Sequence, residues 1–161
     1  MSENDKPTKF ELYKIALDTR NMEIGLFWQR SNYFLVLNTA AAVGLFLKAT
    51  VKYQILIGLF GFAVAILWFG VNLGSKFWQS RWEFRLKEAE KELGNDIEYF
   101  SATWETINSD VEKSLDFSEH SNLRKKIDKL VLMKPSVSFI MTLLSILFIT
   151  LWLGLIIMSL W

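Results

Sequence analysis

SVSFIMTLLSILFITLWLGLIIMSLW, residues 136–161, decides the fold: 26 positions without one charged side chain. As a helix rising ~1.5 Å per residue this run reaches about 39 Å, enough to cross a bilayer core of ~30 Å with some tilt. A helix of this length in a soluble bundle carries a charged face. This one has none, so its expected solvent is lipid. Two further charge-free runs lie upstream. Residues 53–75 provide 23 positions, and residues 31–47 provide 17, the lower limit for a span. The expectation is an all-α integral membrane protein with three transmembrane helices.

Flanking residues support that reading. Trp28 and Tyr33 stand around the start of span one, and Trp78 and Trp82 lie beyond the end of span two. These are the depths at which amphipathic rings form interfacial belts. Orientation follows from Lys and Arg. Residues 1–30 and 76–134 together carry sixteen, whereas the connector between spans one and two carries Lys48 and Lys52. The basic side faces the cytoplasm. That places the N-terminus and residues 76–134 inside, the C-terminus outside, and the protein in a bacterial inner membrane. Residues 1–30 are polar and mixed in charge and do not read as a signal peptide.

The soluble segments read as a small helical cytoplasmic layer. The division is 1–30, an N-terminal cytoplasmic helix; 31–75, a hairpin of spans one and two; 76–134, cytoplasmic amphipathic helices; and 135–161, span three. Tyr13, Ala16, Leu17, Ile24 and Phe27 form an apolar stripe interrupted by Arg20. Span two continues past the membrane, with Trp78, Trp82, Leu86, Ala89 and Leu93 on one face and a stop at Gly94-Asn95. A second amphipathic helix runs through Ile97, Phe100, Trp104, Ile107 and Val111. A third follows Ser118 or Ser121, with Leu123, Ile127 and Leu130 apolar and Arg124, Lys125, Lys126 and Lys129 polar. Pro135 ends that helix or opens span three. These stripes read first as packing within one subunit, with a subunit interface as the alternative.

Enzymatic chemistry is not expected. The chain has no cysteine and a single histidine, His120, in a polar stretch. That excludes thiolate chemistry and Cys-based metal sites, and no cofactor is expected. No Asp, Glu, Lys or Arg lies within a span, so an ion-coupled carrier lacks its intramembrane carboxylate. A formal net charge of +1 supplies no field for a polyanion, and no direct nucleic-acid contact is expected. Nucleases of the HEPN class need Arg, four to six intervening residues, and then His. Here Lys113, Ser114 and Leu115 precede His120 at that distance, and Arg124 follows it.

Span one carries Ser31, Asn32, Asn38 and Thr39. On a wheel of ~100° per residue these share an arc of roughly 120°. Uncharged polar groups in lipid find partners on neighbouring helices or in water. Interhelical bonding and a pore wall are both open on sequence alone. Gly70 and Gly74 fit the spacing that lets helices approach closely.

The segment Leu12-Tyr13-Lys14 … Asp18-Thr19-Arg20-Asn21-Met22-Glu23-Ile24 … Phe27-Trp28-Gln29-Arg30-Ser31-Asn32-Tyr33-Phe34 … Leu37-Asn38-Thr39-Ala40 resembles small bacterial membrane proteins that accompany phage-defence systems. Among these are the octameric membrane-pore accessories of type VI-B CRISPR systems, partners of an RNA-guided RNase. The resemblance covers residues 12–42. It implies a ring-shaped homo-oligomer, an octamer, in the inner membrane, aiding antiviral defence by perturbing or depolarising the membrane when triggered. A degenerate HEPN-like Arg/His pair has been described in that accessory. Its ordered pattern is missing here, and no catalytic residue carries over. Three bare spans are too slim to enclose a conduit, so a pore requires several copies. The competing expectation is a membrane anchor whose cytoplasmic helices recruit a soluble defence effector.

Overall fold

The computed structural model describes residues 7–46, 50–94, 98–115, 121–134 and 136–161. These residues form five helices and no strand: α1 (Lys9–Phe46), α2 (Val51–Leu93), α3 (Trp104–Leu115), α4 (Asn122–Leu132) and α5 (Val137–Leu160). His120, Ser118, Asn95, Ile97 and Pro135 lie outside the described residues.

The N-terminal helix and span one are a single 38-residue helix, α1. Its start is fixed by a capping box that the sequence reading passed over. Thr8 N donates to Glu11 Oε2 (2.7 Å), and Glu11 N donates to Thr8 Oγ1 (3.2 Å). These bonds hold the Glu11 carboxyl below its ordinary range. Span two and its extension are likewise one helix, α2, of 43 residues. At about 64 Å it is twice the thickness of a bilayer core, so much of it lies outside lipid. It ends at Gly94, whose φ of 67° is the left-handed conformation that suits glycine.

The second amphipathic helix starts later than its periodicity predicts. Phe100 lies in a turn, and α3 begins at Trp104 behind Thr103, whose hydroxyl accepts from Thr106 N at 3.3 Å. The third begins behind Ser121, which caps Arg124 N.

The chain divides into two compact units. Unit 1 comprises Met1–Asp18 and Trp82–Ser136. Ala16 and Leu86 are buried there, and a groove lined by Leu12, Ile15, Ala16, Trp82, Arg85 and Ala89 runs beside them. Four positions of the expected α2 stripe are covered, and the covered face extends to Glu90, while Trp78 is exposed. Leu86 is fully buried, Trp82 and Ala89 are half-buried, and Glu90 is buried beside them. Glu90 accounts for the α3 start. Its carboxylate accepts from Tyr99 N (3.2 Å), Phe100 N (2.9 Å) and Ser101 N (2.7 Å). Those amides therefore belong to a turn and not to a helix. Burial raises the Glu90 carboxyl, but the bonds from Phe100, Ser101 and Tyr99 together outweigh burial and hold it below its ordinary value. Burial, with Glu90 and Tyr99 close by, pushes the Tyr13 phenol up.

Unit 2 comprises Thr19–Arg81 and Val137–Trp161. Its core is Ala41, Ala65 and Trp152, with Phe62, Phe148 and Ile149 packed around them. Its outer surface is apolar: Leu59, Phe60, Leu67, Leu147, Leu151 and Ile157 are all exposed. The polar residues Ser31, Asn38, Asn72, Ser75, Gln79 and Ser145 are buried. Water selects the reverse arrangement, so this inside-out distribution marks a unit solvated by hydrocarbon. Two helices, α2 and α5, are long and apolar enough to cross a membrane. Only 11% of the apolar window of α5 is buried within the protomer, whereas the core helix of a soluble protein is mostly buried.

Candidate functional site

On α2 the buried positions include Gly58, Gly61, Ala65, Trp68, Asn72, Ser75 and Gln79, with Val64 beside them. Steps of three and four place them on one seam, the pattern of left-handed helix pairs. The glycines sit where α5 approaches closest. A Cβ added at Gly61 would lie 2.3 Å from Trp152 Cε2, and one at Gly58 would lie 2.9 Å from Ile156 Cγ1. Gly70 and Gly74, selected by their spacing, are exposed, and an added Cβ would meet nothing within 4 Å. Close approach within the protomer is thus at Gly58 and Gly61.

Each helix of unit 2 contributes polar groups to the seam. Trp152 Nε1 donates to Asn38 Oδ1 (2.9 Å), and Asn38 Nδ2 donates to Phe34 O (2.8 Å). Asn72 Nδ2 donates to Met141 O (3.0 Å) and Ser138 Oγ donates to Gln79 Oε1 (3.0 Å). Arg30 Nη1 donates to Ser75 Oγ at 3.3 Å. Between these levels Trp68 is sandwiched by Phe34, stacked at 6.4 Å, and Phe148, tilted at 5.9 Å. In lipid such bonds are among the few forces that favour one helix arrangement over another. Three buried polar atoms, Ser31 Oγ, Trp68 Nε1 and Asn72 Oδ1, have no hydrogen-bond partner among the described residues. Each such atom costs about 1–3 kcal/mol when dry.

The four polar residues of span one divide between two faces. Ser31 and Asn38 point into the seam and are buried, whereas Asn32 and Thr39 are exposed. Thr39 Oγ1 bonds to Leu35 O at 2.8 Å, the usual resort of a hydroxyl with no neighbour across from it. Tyr33, Val36 and Val43 share the exposed side of α1. Trp28 and Trp78 are also exposed, and Trp82 is half-buried in the unit 1 groove.

Sequence reasoning missed the seam residues Trp68, Asn72, Gln79 and Trp152. A signal was present: Asn72, Ser75 and Gln79 repeat at three and four behind an apolar run, and a helix wheel of span two would have exposed them. No group of acids and histidines that could hold a metal ion occurs among the described residues.

A family model described as the octameric membrane protein family (8xMP) matches residues 10–161. No curated protein and no solved structure matches the chain.

Proposed function

The chain belongs to the octameric membrane protein family, and from that premise we propose that it forms a ring-shaped homo-octameric pore in the bacterial inner membrane. The pore perturbs or depolarises the membrane when triggered, in the service of antiviral defence. The observation that carries the pore reading is the exposure of Asn32 and Thr39 on α1, turned away from the seam. An exposed amide at membrane depth is poorly placed against acyl chains, and the Thr39 hydroxyl, its donor given to Leu35 O, still offers its oxygen as an acceptor to water. A water-filled axis shared by several copies accommodates both. On this reading α1 supplies a third span beside α2 and α5 and lines the conduit. Gly70 and Gly74, open within the protomer, receive a helix of the neighbouring copy. The basic segments keep the N-terminus and residues 76–134 in the cytoplasm, and the C-terminus emerges outside. The likeness of residues 12–42 to the type VI-B accessories supports the defence setting. On this reading the protein is a conductor and not an enzyme.

The absence of cysteine makes the test clean. In protein reconstituted into lipid, Asn32→Cys and Thr39→Cys are expected to react with a charged, membrane-impermeant thiol reagent. Leu147→Cys, exposed on α5, is expected to stay unlabelled because lipid covers it. Should Thr39→Cys prove as silent as Leu147→Cys, the pore wall is elsewhere or absent. The chain then reads better as a membrane anchor that recruits a soluble effector.

A further inference from the structure

Helix α4 turns its apolar face away from the protein. Leu123, Ile127, Leu130 and Val131 are exposed, and its one buried residue is Asp128. On a wheel of ~100° per residue these four apolar side chains span an arc of about 100°. Arg124 borders that arc on one side and Lys126 on the other, with Lys125 and Lys129 further round. The helix is held to unit 1 by its opposite face, where Asp128 is buried and Lys125 and Leu132 are half-buried. The apolar arc is therefore not a core face. We propose that α4 is an interfacial helix that lies on the cytoplasmic leaflet, its apolar arc among acyl chains and its cations on anionic phospholipid headgroups.

Three features favour lipid as the occupant. First, long cations rim the apolar arc on both sides, the arrangement in which Lys and Arg snorkel to headgroups. The buried core of a protein–protein interface is depleted in Lys. Second, α4 carries four cations against one acid, Asp128, which faces the protein. That charge complements an anionic leaflet, worth about fivefold in binding per cation near the surface. Third, only residues 133–136 separate α4 from α5, the most apolar helix of the chain. Chain reach keeps its C-terminal end within about 18 Å of the start of that span. This inference rests on the membrane reading above, including the cytoplasmic placement of residues 76–134.

The test uses the full-length protein in nanodiscs, with single cysteines carrying a spin label at Ile127, Lys126 and Leu147. Accessibility is measured to a water-borne and to a lipid-borne relaxation agent. With a third of the lipid as phosphatidylglycerol, Ile127→Cys is expected to favour the lipid-borne agent and Lys126→Cys the water-borne one. Pure phosphatidylcholine, or Arg124→Gln with Lys126→Gln, is expected to shift Ile127→Cys back toward water, by about fivefold per cation removed. Protection of Ile127→Cys from both agents, whatever the lipid charge, would assign the face to a neighbouring copy and overturn the proposal. Equal exposure to water in both lipids would overturn it as well. Leu147→Cys separates the two levels. If it is lipid-accessible while Ile127→Cys is not, only the α4 proposal fails; if it too is open to water, the membrane reading fails.

Discussion

Gly61→Leu is expected to abolish the folded protomer in detergent, while Gly70→Leu leaves the protomer intact and disrupts only its assembly. The difference lies in what each position meets. A Cβ at Gly61 would sit 2.3 to 2.6 Å from three atoms of the Trp152 ring. That ring cannot swing aside cheaply, because it is buried and its Nε1 is bonded to Asn38 at 2.9 Å. Overpacking a core costs about 1–3 kcal/mol, and losing the indole–amide bond about 0.5–1.5 kcal/mol more. Both losses fall on the contact that holds α5 against its partners. A unit whose surface is apolar has no hydrophobic effect in lipid to replace it. At Gly70 nothing lies within 4 Å, and leucine is the better helix former by about 0.8 kcal/mol. Near-ultraviolet circular dichroism during heating reads the first effect as loss of the tryptophan signal. Size-exclusion chromatography reads the second. Equal melting of the two variants would contradict the seam described above.

The second large effect is expected at Glu90. Its carboxylate satisfies three consecutive backbone amides, Tyr99, Phe100 and Ser101. Glu90→Ala leaves these amides without their acceptor, at about 1.5–3 kcal/mol for a bond to a charged group. Hydrogen exchange at residues 99–101 and in α3 is expected to accelerate ten- to a hundredfold, while α5 is unaffected. Acid should produce the same loosening. The folded carboxyl titrates below its ordinary value. Its stabilisation is thus complete above the ordinary carboxylate pKa of about 4.3 and is lost as pH falls through the folded value. Glu90→Gln should remove that pH dependence from α3 protection. An α3 whose protection ignores both pH and the substitution would show that Glu90 does not organise this turn.

Much of the fold follows from charge patterning alone. Residues 136–161 contain no charged side chain, and α5 occupies nearly all of them. The stop at Gly94 and the cap at Ser121 were legible because φ above zero and a free hydroxyl ahead of a helix are local demands. What escaped depended on neighbours. Ser31, Asn32, Asn38 and Thr39 share one arc on a wheel, but it is Trp152, distant in sequence, that bonds the inward Asn38. Gly61 and Gly70 are alike in sequence, and only the position of Trp152 distinguishes them. Glu90 looks like one more acid in KEAEKEL, residues 87–93, until the turn at 99–101 folds back onto it. For α4 the periodicity was correct, but nothing local shows that its apolar stripe faces outward and its aspartate inward.

The copy number in a bilayer tests the account most directly. Native mass spectrometry of the protein released from lipid nanodiscs is expected to show a closed set of eight copies of the 18.7 kDa chain, with Gly70→Leu shifting that population to single protomers. A wild-type chain found only as single copies, or one that remains monodisperse in buffer with neither detergent nor lipid, would contradict it.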